Sequence, residues 1–138
     1  SYSDWRAYLV GTQAEFSGWN VPDDPRMFRL LVSESTPASD RKNLALDKIS
    51  DGWVGLVDVG DVLSPAAFFQ LASEMDRSPN PDAFYSHEVE WLDRKQVLGD
   101  FISKGFADAW ALAHSNSVGR FWVARRQSLR SFSNLPHR

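Results

Sequence analysis

Short apolar stretches alternate with polar stretches rich in glycine and proline along the whole chain. Trp5 to Val10 is mainly apolar and closes on Gly11, which predicts a strand. Residues 11–25 carry Gly11, Gly18, Asn20, Pro22 and Pro25, the chemistry of a loop. Met27 to Val32 predicts a second strand, and the polar run from Ser33 to Ser39, with Pro37 inside it, a connection. Ser39 can cap a helix that runs through Ile49, with Ala38, Ala45, Leu46 and Ile49 on one face. After the Asp51-Gly52 turn, Trp53-Val54-Gly55-Leu56-Val57 is almost wholly apolar, as in a strand covered on both faces.

Ser64-Pro65 supplies a capping hydroxyl and a first-turn proline, a helix start. Phe68, Leu71, Ala72 and Met75 then recur at i, i+3, i+4 and i+7, which buries one helical face; Pro79 and Pro81 stop it. Ala83 to Tyr85 predicts a strand that Glu88 to Leu92 extends or pairs with, and Asp93-Arg94-Lys95 reads as a turn. Phe106, Ala109, Trp110 and Ala113 give another helical stripe, Phe121 to Ala124 a short strand, and Arg125-Arg126 opens a basic, serine-rich tail. Strands and helices alternating at this spacing predict an α/β fold, a mostly parallel sheet with helices on both faces, in one domain over residues 1–138. In such sheets ligands bind beyond the C-terminal ends of the strands, which draws attention to the acids after Val57.

Composition narrows the class. Fifteen basic against eighteen acidic side chains give a net charge of −3, the wrong sign for a general nucleic-acid binder. No apolar run approaches the roughly 20 residues that span a bilayer. With no cysteine, disulfide frameworks and thiolate metal sites are excluded. Six Trp and nine Phe provide either core anchors or aromatic surface on which a sugar ring could stack, with Trp91, Trp110 and Trp122 the candidates. The chain opens Ser1-Tyr2-Ser3-Asp4 without an initiator Met, so flanking sequence is expected.

Asp58 and Asp61 flank Gly60 at the end of the central apolar stretch. Two carboxylates held together repel and recruit a cation or donor, and hard ions such as Mg²⁺ or Mn²⁺ prefer such oxygens and bridge diphosphates. The same residues also make an ordinary turn in which Gly60 supplies a positive φ. His87-Glu88 can provide a general base or an exposed edge pair. Arg41 and Lys42 precede Asn43 at a helix start, as phosphate partners or as solvated cations. His114 reads as a helix C-terminal residue rather than a ligand. Arg120, Arg125, Arg126, Arg130 and Arg138 form a basic patch that meets phosphate, meets a second subunit or is simply solvated.

The order of several segments resembles the family 2 glycosyltransferases of the GT-A fold. Asn43-Leu44-Ala45-Leu46, Gly52-Trp53, Val57-Asp58-Val59-Gly60-Asp61 and Leu63-Ser64-Pro65 occupy the places of that family's helix, strand, D-x-D turn and following helix. Tyr2-Ser3-Asp4-Trp5, Asp24-Pro25-Arg26, Ala83 to Glu88 and Val118-Gly119 before Phe121 to Arg126 fall in sequence around them. The resemblance implies transfer of a sugar from a nucleotide-sugar donor to a saccharide or glycan acceptor, in cell-surface polysaccharide synthesis. It further implies Mg²⁺ or Mn²⁺ with the donor, Lys42, Asn43 and Asp58 on the substrate, Asp58 and Asp61 on the metal, and a cytoplasmic or membrane-face location. The pattern departs from the family at Gly60, where an acid normally touches the metal. The family's first strand and catalytic base also have no counterpart. The alternative expectation is a non-catalytic binding or dimerisation module, in which a second copy covers an edge left without that strand.

Overall fold

The computed structural model describes residues 2–78, 80–92, 96–105, 114 and 118–129. The chain divides into two compact units: Ser1–Gly52 with Arg126–Arg138, and Trp53–Arg125.

In the first unit, strand β1 (Ala7–Gly11) pairs in parallel with β2 (Met27–Leu31), in a register from Ala7 opposite Met27 to Gly11 opposite Leu31. The segment between them contains helix α1 (Gln13–Gly18), where the sequence predicts only loop. Thr12 and Glu15 close a capping box: the Thr12 hydroxyl accepts the Glu15 amide at 3.2 Å, and the Glu15 carboxylate accepts the Thr12 amide at 2.6 Å. This reciprocal cap satisfies two of the orphan donors of a very short helix and places Phe16 in the core. Helix α2 runs over Ala38–Leu46, not from Ser39 to Ile49, and its N-cap is Pro37, which has no side-chain cap to offer. It packs on β1 and buries Leu46. Arg41 ties the two helices together, reaching Glu15 at 3.2 Å and the Thr36 carbonyl at 3.1 Å. Arg126 belongs to this unit, with its Nε on the Ile49 carbonyl at 2.7 Å.

The second unit holds a three-stranded sheet in the order β3 (Trp53–Gly55), β7 (Trp122–Arg125), β4 (Ala83–Tyr85). Strand β7 runs antiparallel to both neighbours. A separate antiparallel hairpin pairs β5 (Glu88–Leu92) with β6 (Val97–Ile102), with a bulge between Val89 and Trp91. Helix α3 (Ala67–Arg77) follows the turn that Ser64 stabilises by accepting the Ala66 amide at 3.3 Å. Leu71, Ala72 and Met75 are half-buried, while Phe68 is exposed. The core of the sheet is Val123 and Ala124 on β7, with the Trp53 and Phe84 rings 5.2 Å apart. Gly55 lets β7 approach: a Cβ there would meet Val123 Cγ1 at 2.7 Å.

The expected mostly parallel, GT-A-like sheet with helices on both faces is therefore not what forms. Among the described residues, parallel pairing is confined to β1 and β2, and every other ladder is antiparallel. Alternating strands and helices predict parallel neighbours, but β7, from far along the chain, takes the central place between β3 and β4 and runs antiparallel to both. Strand β3 is shorter than its apolar run, and Val57 is exposed beyond its end. The helical stripe of Phe106, Ala109, Trp110 and Ala113 and the Asp93–Lys95 turn lie outside the described residues.

Candidate functional site

Beyond β3 the backbone turns at Asp58-Val59-Gly60-Asp61, and the Asp61 amide donates to the Asp58 carbonyl at 3.1 Å. Gly60 sits at φ +95°, a conformation open chiefly to glycine, so the turn reading of this motif holds in the structure. The bend sends both carboxylates toward one guanidinium. Arg120 grips Asp61 side-on, with Nε 3.2 Å from Oδ2 and Nη2 3.1 Å from Oδ1, and its Nη2 also lies 3.4 Å from Asp58 Oδ2. The hydrogen bond and charge of Asp61 raise the Arg120 pKa above its ordinary value against the opposing effect of burial, with lesser help from the charges of Asp58 and Glu88.

Glu88, the first residue of β5, fixes the loop that carries Arg120. Its Oε1 accepts the backbone amides of Arg120 and Phe121, and its Oε2 pairs with Lys104 Nζ at 3.4 Å. Burial alone would push the Glu88 carboxyl up. The two amides and the Lys104 charge outweigh it and hold the carboxyl below its usual range. Gly119, at φ +77°, lies against this pair so closely that a Cβ would overlap the Glu88 carboxylate and the Lys104 ammonium. His87 accepts the Lys104 backbone amide at Nδ1, 2.9 Å away. The Tyr85 hydroxyl donates to the Gly105 carbonyl.

Four of the residues singled out in the sequence, Asp58, Asp61, His87 and Glu88, thus enter one network through Arg120 and Lys104. In this structure His87 Nδ1 and both carboxylate oxygens of Glu88 are engaged by neighbouring amides and the Lys104 ammonium. Lys42 and Asn43 are half-buried on α2 in the first unit, whereas Asp58, Asp61, His87 and Glu88 belong to the second. A hollow of about 430 Å³ in that unit is lined by Arg29, Leu30, Leu31, Leu44 and Lys48, none of them a predicted site residue.

The donor set expected for Mg²⁺ or Mn²⁺ consists of two carboxylates with a guanidinium already bound to both. Gly60 adds no side chain, and among the described residues no group of three or more His, Cys, Asp or Glu side chains gathers as a metal cage. Two acids that already share one guanidinium, which cancels one of their two charges, do not fit a resident divalent ion. Comparison of the chain with family models, curated proteins and solved structures found no match.

Sequence reasoning missed the roles of Arg120 and Lys104. Arg120 looked like one charge of a basic patch, yet the described members of that patch are each committed. Arg125 donates to the Pro81 carbonyl at 2.7 Å and covers the Trp53 ring at 4.8 Å, and Arg126 holds the Ile49 carbonyl. Arg130 and Arg138 lie outside the described residues. Nothing local marks Arg120, because its partners stand about sixty positions away.

Proposed function

We propose that the chain is a glycosyltransferase-like domain that receives a nucleotide-sugar donor at the Asp58–Asp61 turn and passes the sugar to a saccharide or glycan acceptor. The observation that carries the reading is the meeting of Asp58 and Asp61 with the His87-Glu88 corner through one arginine. The segments involved are those whose order resembles family 2 glycosyltransferases. A fixed guanidinium and carboxylates at the end of a strand can orient the hydroxyls and phosphates of such a donor. The acceptor hydroxyl must lose a proton during transfer. The reading places the protein in the cytoplasm or at the cytoplasmic face of a membrane. No helix among the described residues is long and apolar enough to cross one.

A second reading, a binding module that holds the donor or a glycan without transfer, is favoured by the engaged lone pairs of His87 and Glu88. Calorimetric titration with UDP-, GDP- and dTDP-sugars, with and without Mn²⁺, separates the possibilities. Donor binding together with donor turnover when glycan acceptors are added supports transfer, and binding without turnover supports the module. Absence of heat with every donor and with every glycan acceptor, in either condition, refutes both.

A further inference from the structure

We propose that Arg120 is the resident cation of the Asp58–Asp61 turn and keeps it closed to divalent ions. An isolated exposed ion pair is weak, typically about 0–1 kcal/mol, because two long side chains must be ordered to make it. Arg120 is 59% exposed, so a lone pair would carry little weight. Three features make this contact more than a lone pair. One guanidinium serves two carboxylates: its Nε donates to Asp61 Oδ2 and its Nη2 to Asp58 Oδ2, while Nη2 also lies 3.1 Å from Asp61 Oδ1. The backbone behind Arg120 is anchored, because Glu88 takes the amides of Arg120 and Phe121 and is itself clamped by Lys104, with side chains only 18% and 12% exposed. Gly119 supplies the positive φ and the close approach that the anchor requires.

A divalent ion entering the turn would have to displace this guanidinium. It would gain only two carboxylates and would leave Arg120 charged beside it. Mg²⁺ also gives up its waters reluctantly, which adds to the barrier for that ion. Asp58 and Asp61 are therefore preorganised for a guanidinium. The assignment rests on the donor reading only for its consequence, that a bound diphosphate would meet Arg120 in place of a metal. The cation itself is tested with no donor present.

The test is a Mn²⁺ titration followed by the electron paramagnetic resonance of the free ion, at constant ionic strength, on wild type, Arg120→Gln, Arg120→Lys and Arg120→Gln/Asp58→Asn. Removing a full charge about 3–4 Å from the acids should tighten Mn²⁺ binding in Arg120→Gln by roughly tenfold or more. Arg120→Lys, which keeps the charge but loses the planar guanidinium, should fall between wild type and Arg120→Gln, and the added Asp58→Asn should cancel the gain. Equal affinity in wild type and Arg120→Gln overturns the proposal. Should Arg120→Gln fail to fold, amide spectra of wild type in Mn²⁺ decide alone. Selective broadening at Gly60 and Asp61 at micromolar ion overturns the assignment, and unbroadened signals there support it.

Discussion

Single residues in this protein work as joints between charges. Asp24 and Arg26 are the plainest case: Arg26 Nη2 lies 2.6 Å from Asp24 Oδ2, and the Arg26 backbone amide lies 2.9 Å from Oδ1. The Arg26 side-chain hydrogen bond, then the amide, pull the Asp24 carboxyl from 3.8 down to about 2. The folded pKa is thus below the unfolded one. The stabilisation is complete above the unfolded value and is lost as pH falls from there through about 2. In Arg26→Ala, the Asp24 carboxyl should titrate most of the way back toward 3.8, with the amide retaining a residual depression. A carbon-detected titration of the side-chain carboxyl reads this directly, and an unchanged midpoint would refute the assignment. Asp24-Pro25-Arg26 was visible in the sequence as a motif, but its role as a self-contained ion pair under Trp5 depends on the turn that brings residue 26 back on residue 24.

At the scale of elements, local chemistry was legible and partnership was not. The strands at Ala7–Gly11, Met27–Leu31 and Ala83–Tyr85 and the helix before Arg77 follow from apolar spacing and their stop signals. Helix α1 escaped because Gly11 and Gly18 suggested loop, although Thr12 and Glu15 stand three apart, the spacing of a capping box. Strand β6 is hidden in the sequence because Gly99 and Asp100 interrupt its apolar run, and a Cβ at Gly99 would meet Leu92 Cγ at 3.0 Å. Strand direction escaped because periodicity says which residues face a core and nothing about which strand arrives beside which. The cap at α1 can be weighed. Thr12 is buried and its hydroxyl serves the Glu15 amide, so Thr12→Ala should cost about 1–2 kcal/mol, the range of N-cap losses. Thr12→Ser keeps the hydroxyl and should lose less than half as much. Urea unfolding measures both, and equal losses would mean that the methyl group, not the cap, carries the effect.

For the molecule as a whole, the decisive balance is between a modest charge and an uncovered apolar face. The register of the β5–β6 hairpin, with Val89 opposite Phe101 and Trp91 opposite Leu98, sets these four side chains on one face. All four are exposed, Leu98 the most at 68%. Apolar surface gathered in this way promotes association of the protein, and net charge opposes it. A net charge of −3 with a pI near 5.5 offers little repulsion, and less as the pH approaches that value. Light scattering should therefore rise as pH is lowered from neutral toward 5.5. Two substitutions at Leu98 separate the causes. Leu98→Glu removes apolar surface and adds to the negative charge, so it should suppress scattering most. Leu98→Lys removes the same surface but brings the net charge closer to zero. If the apolar face dominates, Leu98→Lys still scatters less than wild type. If charge dominates, it scatters more, and the hairpin face is not what drives association.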